Sequence, residues 1–153
     1  SPSFFRLFVG IDTQAHYEHT ALEAACRPLV ENNITTWDYL CSVESIINTY
    51  GLYFEVSEGI LLVHSHADIH MTEVALSILL FDKPVMFEKY GRRISAMLAF
   101  TSPSPTAHAY MMRKLLEFIT SGNNRQRLIK CDFTSPEQLS QEVRLFMQGN
   151  DKL

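Results

Sequence analysis

Gly59-Ile-Leu-Leu-Val-His-Ser-His66 is the stretch from which the fold and the chemistry are read. Ile60 to Val63 form an apolar run that stops at once on His64. Four continuous apolar residues after a glycine suit a strand buried on both faces. A strand held by its sheet can deliver its last side chain to a crevice, so His64 is the first candidate for chemistry. Ser65-His66-Ala67-Asp68-Ile69-His70 follows, and three reasons for so many histidines compete. They are a metal cage, a phosphohistidine site, and a polar loop that is rich in His.

Upstream of that strand, Phe4 to Ile11 is aromatic and β-branched and reads as a first strand. Ala21, Leu22, Ala25, Leu29 and Val30 recur at helical spacing between about Tyr17 and Asn32, with Pro28 as a kink or restart. Thr35-Thr36-Trp37-Asp38 is a helix start, and Leu40, Val43, Ile46 and Ile47 make one apolar face before Gly51 at the C-terminal cap position. Trp37 is expected to anchor this helix in the core. A short strand over Tyr53 to Val56 should precede Ile60 to His64.

Downstream, Glu73 to Phe81 reads as a strand that Asp82-Lys83-Pro84 turns, and Arg93 to Phe100 as a central strand. Thr101 to Thr106 is a loop, with Thr106 capping a helix from Ala107 to Thr120. Its inner face is expected to hold Met111, Met112, Leu115, Leu116 and Ile119. A short helix over Arg125 to Ile129 and a last one opened by Ser135-Pro136 complete the chain. The expected fold is a single α/β domain over residues 1–153, a three-layer sandwich with a central mixed sheet between helices.

His108 falls two residues after the expected cap Thr106. Free backbone N–H groups and the positive end of the macrodipole make a helix start favourable for anions, and the dipole lowers the proton affinity of an imidazole there. If the two elements face each other, His64 could carry or attack a phosphoryl group while His108 and the helix start hold its oxygens. Taken singly, His64 also reads as a rim histidine bonded to a carbonyl, and His108 as an exposed helix residue.

Composition excludes several classes. The 153 residues are 46% hydrophobic and 20% charged, as in ordinary globular domains. The net charge is −4 and basic residues are scattered, so direct nucleic-acid binding is not expected. Arg125, Arg127 and Lys130 read as a solvated helix face. No apolar run reaches the ~20 residues that cross a bilayer, so no membrane insertion is expected, and no signal peptide is visible. The first residues are Ser-Pro-Ser rather than Met, which fits a domain cut from something longer. Cys26, Cys41 and Cys131 lack zinc spacing and read as packed, inert thiols of a reducing cytoplasm.

Asn48-Thr-Tyr-Gly-Leu-Tyr-Phe-Glu-Val-Ser-Glu-Gly-Ile-Leu-Leu-Val-His64 resembles the active-site approach of enzyme IIA domains of the bacterial sugar phosphotransferase system, in the ascorbate-type branch of the mannitol/fructose superfamily. Those domains carry Tyr-Gly-Pro-Tyr, a short strand, and Gly-Ile-Ala-Leu-Pro-His. The similarity continues in Ala75 to Phe87, like a strand ending Lys-(Glu/Asp)-Pro-Val-x-Phe, and in Ala96 to His108, like a strand ending Ala-Ala-Pro-Asp before a His-led helix. Val63 and Leu52 stand where the family has proline, and Ser65 to His70 departs from its Ala-Arg-Pro-Glu run. The resemblance implies that His64 accepts a phosphoryl group from the histidine-containing phosphocarrier protein, with His108 as the second active-site histidine. The group would pass to a cysteine of an enzyme IIB domain. Related domains fused to transcriptional antiterminators and activators instead use it as a regulatory signal within one polypeptide. No cofactor or metal is implied, the setting is cytoplasmic, and a homodimer is left open.

Two other functions compete. His64, His66 and Asp68 resemble the His-x-His-x-Asp-His zinc motif of metallo-β-lactamase hydrolases, but Ile69 stands where the last His belongs. The other is a non-catalytic interaction module. Thr106 and His66 are candidates for holding phosphate, although His66 also reads as an exposed loop residue. Tyr50 and Tyr53 read as packing residues, or as an edge of the site. Glu55 and Glu58 read as solvated, and His16, His19 and His70 as surface residues.

Overall fold

A computed structural model describes residues 5–15, 17–66 and 70–150. The elements in chain order are β1 (Arg6–Asp12), α1 (Glu18–Glu31), α2 (Asp38–Tyr50), β2 (Glu55–Ser57), β3 (Ile60–Val63), β4 (Ala75–Phe87), β5 (Arg92–Thr101), α3 (Pro105–Thr120), α4 (Asn124–Lys130) and α5 (Pro136–Asn150). A 3-10 turn, Glu88–Tyr90, joins β4 to β5.

The sheet order is β1-β4-β5-β3-β2. β1 runs parallel to β4 and β3 parallel to β5, while β4–β5 and β2–β3 are antiparallel. The sheet is therefore mixed, as expected. All four residues of β3 are fully buried, which explains the unbroken apolar run. Leu61 and Val63 pack under α1 and α2, while Ile60 and Leu62 pack with α3 and α5. Alternate side chains of one strand thus feed two separate cores. These two cores and the sheet between them are the expected three-layer sandwich.

Several local expectations are corrected. Asp82-Lys83-Pro84 does not turn the chain: β4 runs on to Phe87, and pairing with β5 resumes at Val85. The three residues are exposed at a register shift, where Pro84 owes the ladder no N–H. The helix α1 holds Pro28 inside it and ends at Glu31 with Asn32 as its cap, where its end was expected. Trp37 is the N-cap of α2 and 38% exposed, with the Arg27 guanidinium 5.5 Å from its ring centre. The buried anchor is Tyr39, two residues later. In α3, Leu116 is exposed rather than on the inner face, and Phe118 is buried there.

Glu55 is not solvated. Its carboxylate accepts Nε and Nη2 of Arg92 at 2.8 and 2.7 Å and the Gly59 N–H at 2.9 Å. Arg92 and that N–H hold the carboxyl below its ordinary range despite partial burial. Gly59 has φ +80°, which side chains rarely adopt, and this tight turn launches β3. Arg127 is likewise engaged rather than free on a solvated face, bridging both carboxylate oxygens of Glu142 and lying over Phe133. Cys26 is buried as expected, but Cys41 is exposed.

Candidate functional site

The site forms where β3 and β5 end and α3 begins. β3 stops at Val63, so His64 is the first side chain beyond the sheet. Tyr39 of α2 reaches that edge from below: its buried hydroxyl lies 2.8 Å from the Phe100 carbonyl and 3.2 Å from that of Val63. One phenol therefore ties together the two strands that carry the site. Burial pushes its acidity well away from titration, so it stays a neutral donor.

The half-buried imidazole of His64 sits among aromatic rings. Its centroid is 4.9 Å from Phe54, 5.6 Å from Phe100 and 5.0 Å from His108, the Phe54 and His108 pairs being edge-on at 78°. Burial, then the charges of His108 and His66, push its pKa down from 6.5 to about 4. At neutral pH the ring is uncharged and keeps a nitrogen lone pair, the form that can attack phosphorus.

His108 comes from α3. Burial, then His66, lower its proton affinity too. Its Nδ1 lies 3.2 Å from the buried Ser102 hydroxyl. The backbone N–H of Ser102 points to the Met71 sulfur at 3.1 Å, and Thr101 Oγ1 donates to the Glu73 carbonyl at 2.9 Å. The end of β5 is thus pinned before it turns into α3.

The helix start differs from expectation. The cap is Ser104, whose Oγ accepts the Ala107 N–H at 3.2 Å, and Pro105 is the first helical residue. Thr106 is a second-position, exposed residue. The His108 N–H already bonds the Ser104 carbonyl at 3.0 Å. With no N–H on Pro105, Thr106 has the one uncommitted N–H of this first turn among the described residues. The lowered proton affinity of His108 thus comes from burial and a neighbouring imidazole more than from a helix terminus.

Two clefts meet at His64. One, of about 290 Å³, is lined by Ile46, His64, Ser65, His66, Pro105 and His108. The other, about 410 Å³, is lined by Ile46, Tyr50, Tyr53, Phe54, His64 and His66. The exposed His66 borders both. Tyr50 and Tyr53 are each 75% exposed, so they rim the site rather than pack in the core. Neither cleft has a Lys or Arg lining residue among those described, which leaves imidazoles as the ring-nitrogen hydrogen-bonding groups at hand. Ser65 is buried and its Oγ lies 2.5 Å from Ser42 Oγ on α2, fastening the residue after His64.

The structure therefore brings His64, His66 and His108 together and places Thr106 outside the cleft lining. Asp68 and His16 lie outside the described residues. Among the described residues, no three His, Cys, Asp or Glu side chains are grouped to hold a metal; Asp68 of the zinc reading is not one of them. His70 is an exposed surface residue 3.7 Å from Asp38, and His19 an exposed one held by Glu44 at 2.6 Å. Sequence reasoning missed Tyr39, Phe54, Ser65, Phe100 and Ser102. Only Ser65 and Ser102 carried a signal, each a small polar residue beside an apolar strand end.

A strand-end imidazole facing a helix-borne one across a cleft is the pattern that the sequence resemblance implies. The family described as phosphoenolpyruvate-dependent sugar phosphotransferase system, EIIA 2, matches residues 4–143. The chain belongs to this family. The EIIA 2 chain has the fold of several solved relatives. A Streptococcus mutans protein assigned as a PTS IIA, PtxA, superposes with a TM-score of 0.78 at 18% identity, over 92% of this chain and 88% of that one. The mannitol-specific cryptic phosphotransferase enzyme IIA CmtB of Escherichia coli gives 0.75 at 15% identity, over 94% of each chain. Enzyme IIA for mannitol of Escherichia coli, solved in complex with phosphorylated enzyme IIB, gives 0.70 at 13% identity, over 90% of this chain and 93% of that one. No curated protein matches the sequence significantly. No helix among the described residues is long and apolar enough to cross a membrane.

Proposed function

We propose that this IIA domain carries a phosphoryl group on His64, received from the histidine-containing phosphocarrier protein and passed to a cysteine of an enzyme IIB domain. The observation that carries the reading is the pairing of His64 and His108 rings at 5.0 Å, with the His64 pKa pushed down to about 4. A neutral imidazole attacks the phosphorus of the donor phosphohistidine. The new N–P bond forms as the donor N–P bond breaks, and that electron pair returns to the donor ring. The proton lost from the other nitrogen of His64 is balanced by one regained on the donor. Onward transfer repeats the exchange with a cysteine thiolate as nucleophile.

His108 stabilises the transferring group by hydrogen bonding to its oxygens, and His66 adds a second imidazole at the rim of both clefts. The exposed rings of Tyr50 and Tyr53 offer a protein partner apolar surface beside His64. Complex formation between a relative of the same fold and enzyme IIB supports that kind of partner.

The test is incubation with the general phosphotransferase proteins and phosphoenolpyruvate. Wild type should take up acid-labile phosphate and His64→Ala none. Uptake by His64→Ala equal to wild type overturns the assignment. His108→Ala should still be phosphorylated but transfer onward on the order of 10²-fold more slowly; an unchanged rate removes its role.

A further inference from the structure

We propose that Ser102 is a positioning residue that keeps a hydrogen-bond donor on Nε2 of His108 in both charge states of the ring. The proposal rests on the phosphoryl-transfer reading of the site. It starts from one buried hydroxyl. Ser102 is 1% exposed, and its Oγ lies 3.2 Å from His108 Nδ1. Its backbone N–H is held by the Met71 sulfur, so the side chain is fixed from behind.

A buried hydroxyl places its proton on an acceptor wherever one is at hand. Among the described residues the partner of Ser102 Oγ is His108 Nδ1, so in the neutral ring the hydroxyl donates and Nδ1 accepts. The imidazole proton then sits on Nε2. When the ring is protonated, Nδ1 becomes a donor and the same hydroxyl rotates to accept. Nε2 carries a proton in this state as well. A carboxylate or carbonyl in place of Ser102 could only accept. It would force the neutral ring to carry its proton on Nδ1 and turn a lone pair towards the cleft. An amphoteric hydroxyl avoids that.

His108 lines the cleft that His64 enters, and its Nδ1 is occupied, so Nε2 is the nitrogen left for a phosphoryl oxygen. The titratable groups facing the ring among the described residues are His64 and His66. Both are imidazoles, and neither supplies an anion that would compete for the donor.

Nitrogen-15 NMR of the unphosphorylated protein tests this directly. The neutral His108 ring should carry its proton on Nε2, with Nδ1 bare and bonded to a hydroxyl. Ser102→Ala removes the acceptor for the charged ring, so the protonation midpoint of His108 should fall. Phosphoryl transfer should slow on the order of tenfold in kcat, with the KM for the protein donor unchanged. Ser102→Thr, which keeps the hydroxyl, should restore both. A neutral ring protonated on Nδ1 in wild type, or a Ser102→Ala variant that transfers at the wild-type rate, overturns the proposal. Failure of the phosphoryl-transfer reading looks different: wild type itself would take up no phosphate, while the His108 tautomer would still be readable.

Discussion

The half-buried imidazole of His64 makes a thermodynamic prediction that needs no partner protein. Its pKa is about 4 in the fold against 6.5 for an ordinary histidine. Above pH 6.5 both folded and unfolded chains hold it neutral, and it contributes no pH dependence. Below pH 6.5 the unfolded chain binds a proton that the folded one refuses. Stability therefore falls with pH until the folded ring titrates near 4, and is level below that. At about 1.4 kcal/mol per pH unit, the descent from 6.5 to 5 alone costs about 2 kcal/mol. The ring borders a solvent cleft, and screening brings this nearer to about 1 kcal/mol. His64→Gln removes the titration and keeps a side chain of similar reach. Urea unfolding at pH 7.5 and pH 5 should show wild type losing about 1 kcal/mol more than the variant between the two. Equal losses in both proteins would refute the argument that His64 is held neutral by the fold. Carboxylates contribute equally to both chains and cancel from the comparison.

Tyr39→Phe deletes the hydroxyl that joins the ends of β3 and β5. It should cost about 1–3 kcal/mol in chemical denaturation and slow phosphate uptake by His64, because two buried carbonyls lose a donor. Glu55→Gln should cost about 1–2 kcal/mol at pH 7 by breaking the charge-assisted bonds to Arg92. The carboxyl is held low by Arg92, so this stabilisation is present above pH 4.5 and is lost as pH falls through the lowered value. The gap between wild type and variant should therefore close in acid, as urea midpoints across pH would show. Leu62→Ala should cost about 2–5 kcal/mol, since Leu62 is fully buried in the core with α3 and α5.

The strands and helices were largely legible because burial imposes a period. Ile60 to Val63 has no polar residue because both its faces pack, and that alone marks an interior strand. His64 was legible for the same reason, as the first polar residue after the run. The place of His108 near a helix start is legible in the sequence, but its surroundings are not. Pro105 and Ser104 together set the helix start two residues earlier than Thr106 suggested. Trp37 is the largest side chain at the start of its helix, yet Tyr39 carries the burial, and its hydroxyl meets two buried carbonyls. Asp82-Lys83-Pro84 reads as a turn by composition, and only the pairing of Val85 with Ile94 makes it a bulge.

By itself the sequence determined a mixed α/β sandwich and an imidazole at the mouth of its central strand, since both follow from hydrophobic period and local breakers. Tertiary structure decided which histidine faces His64, how far both are stripped of water, and that Ser102 rather than a carboxylate meets His108. Those properties depend on distances between β3, β5 and α3. Local spacing carries no information about them, whereas a proton affinity and a hydrogen-bond partner are set by whatever the fold brings within a few ångströms.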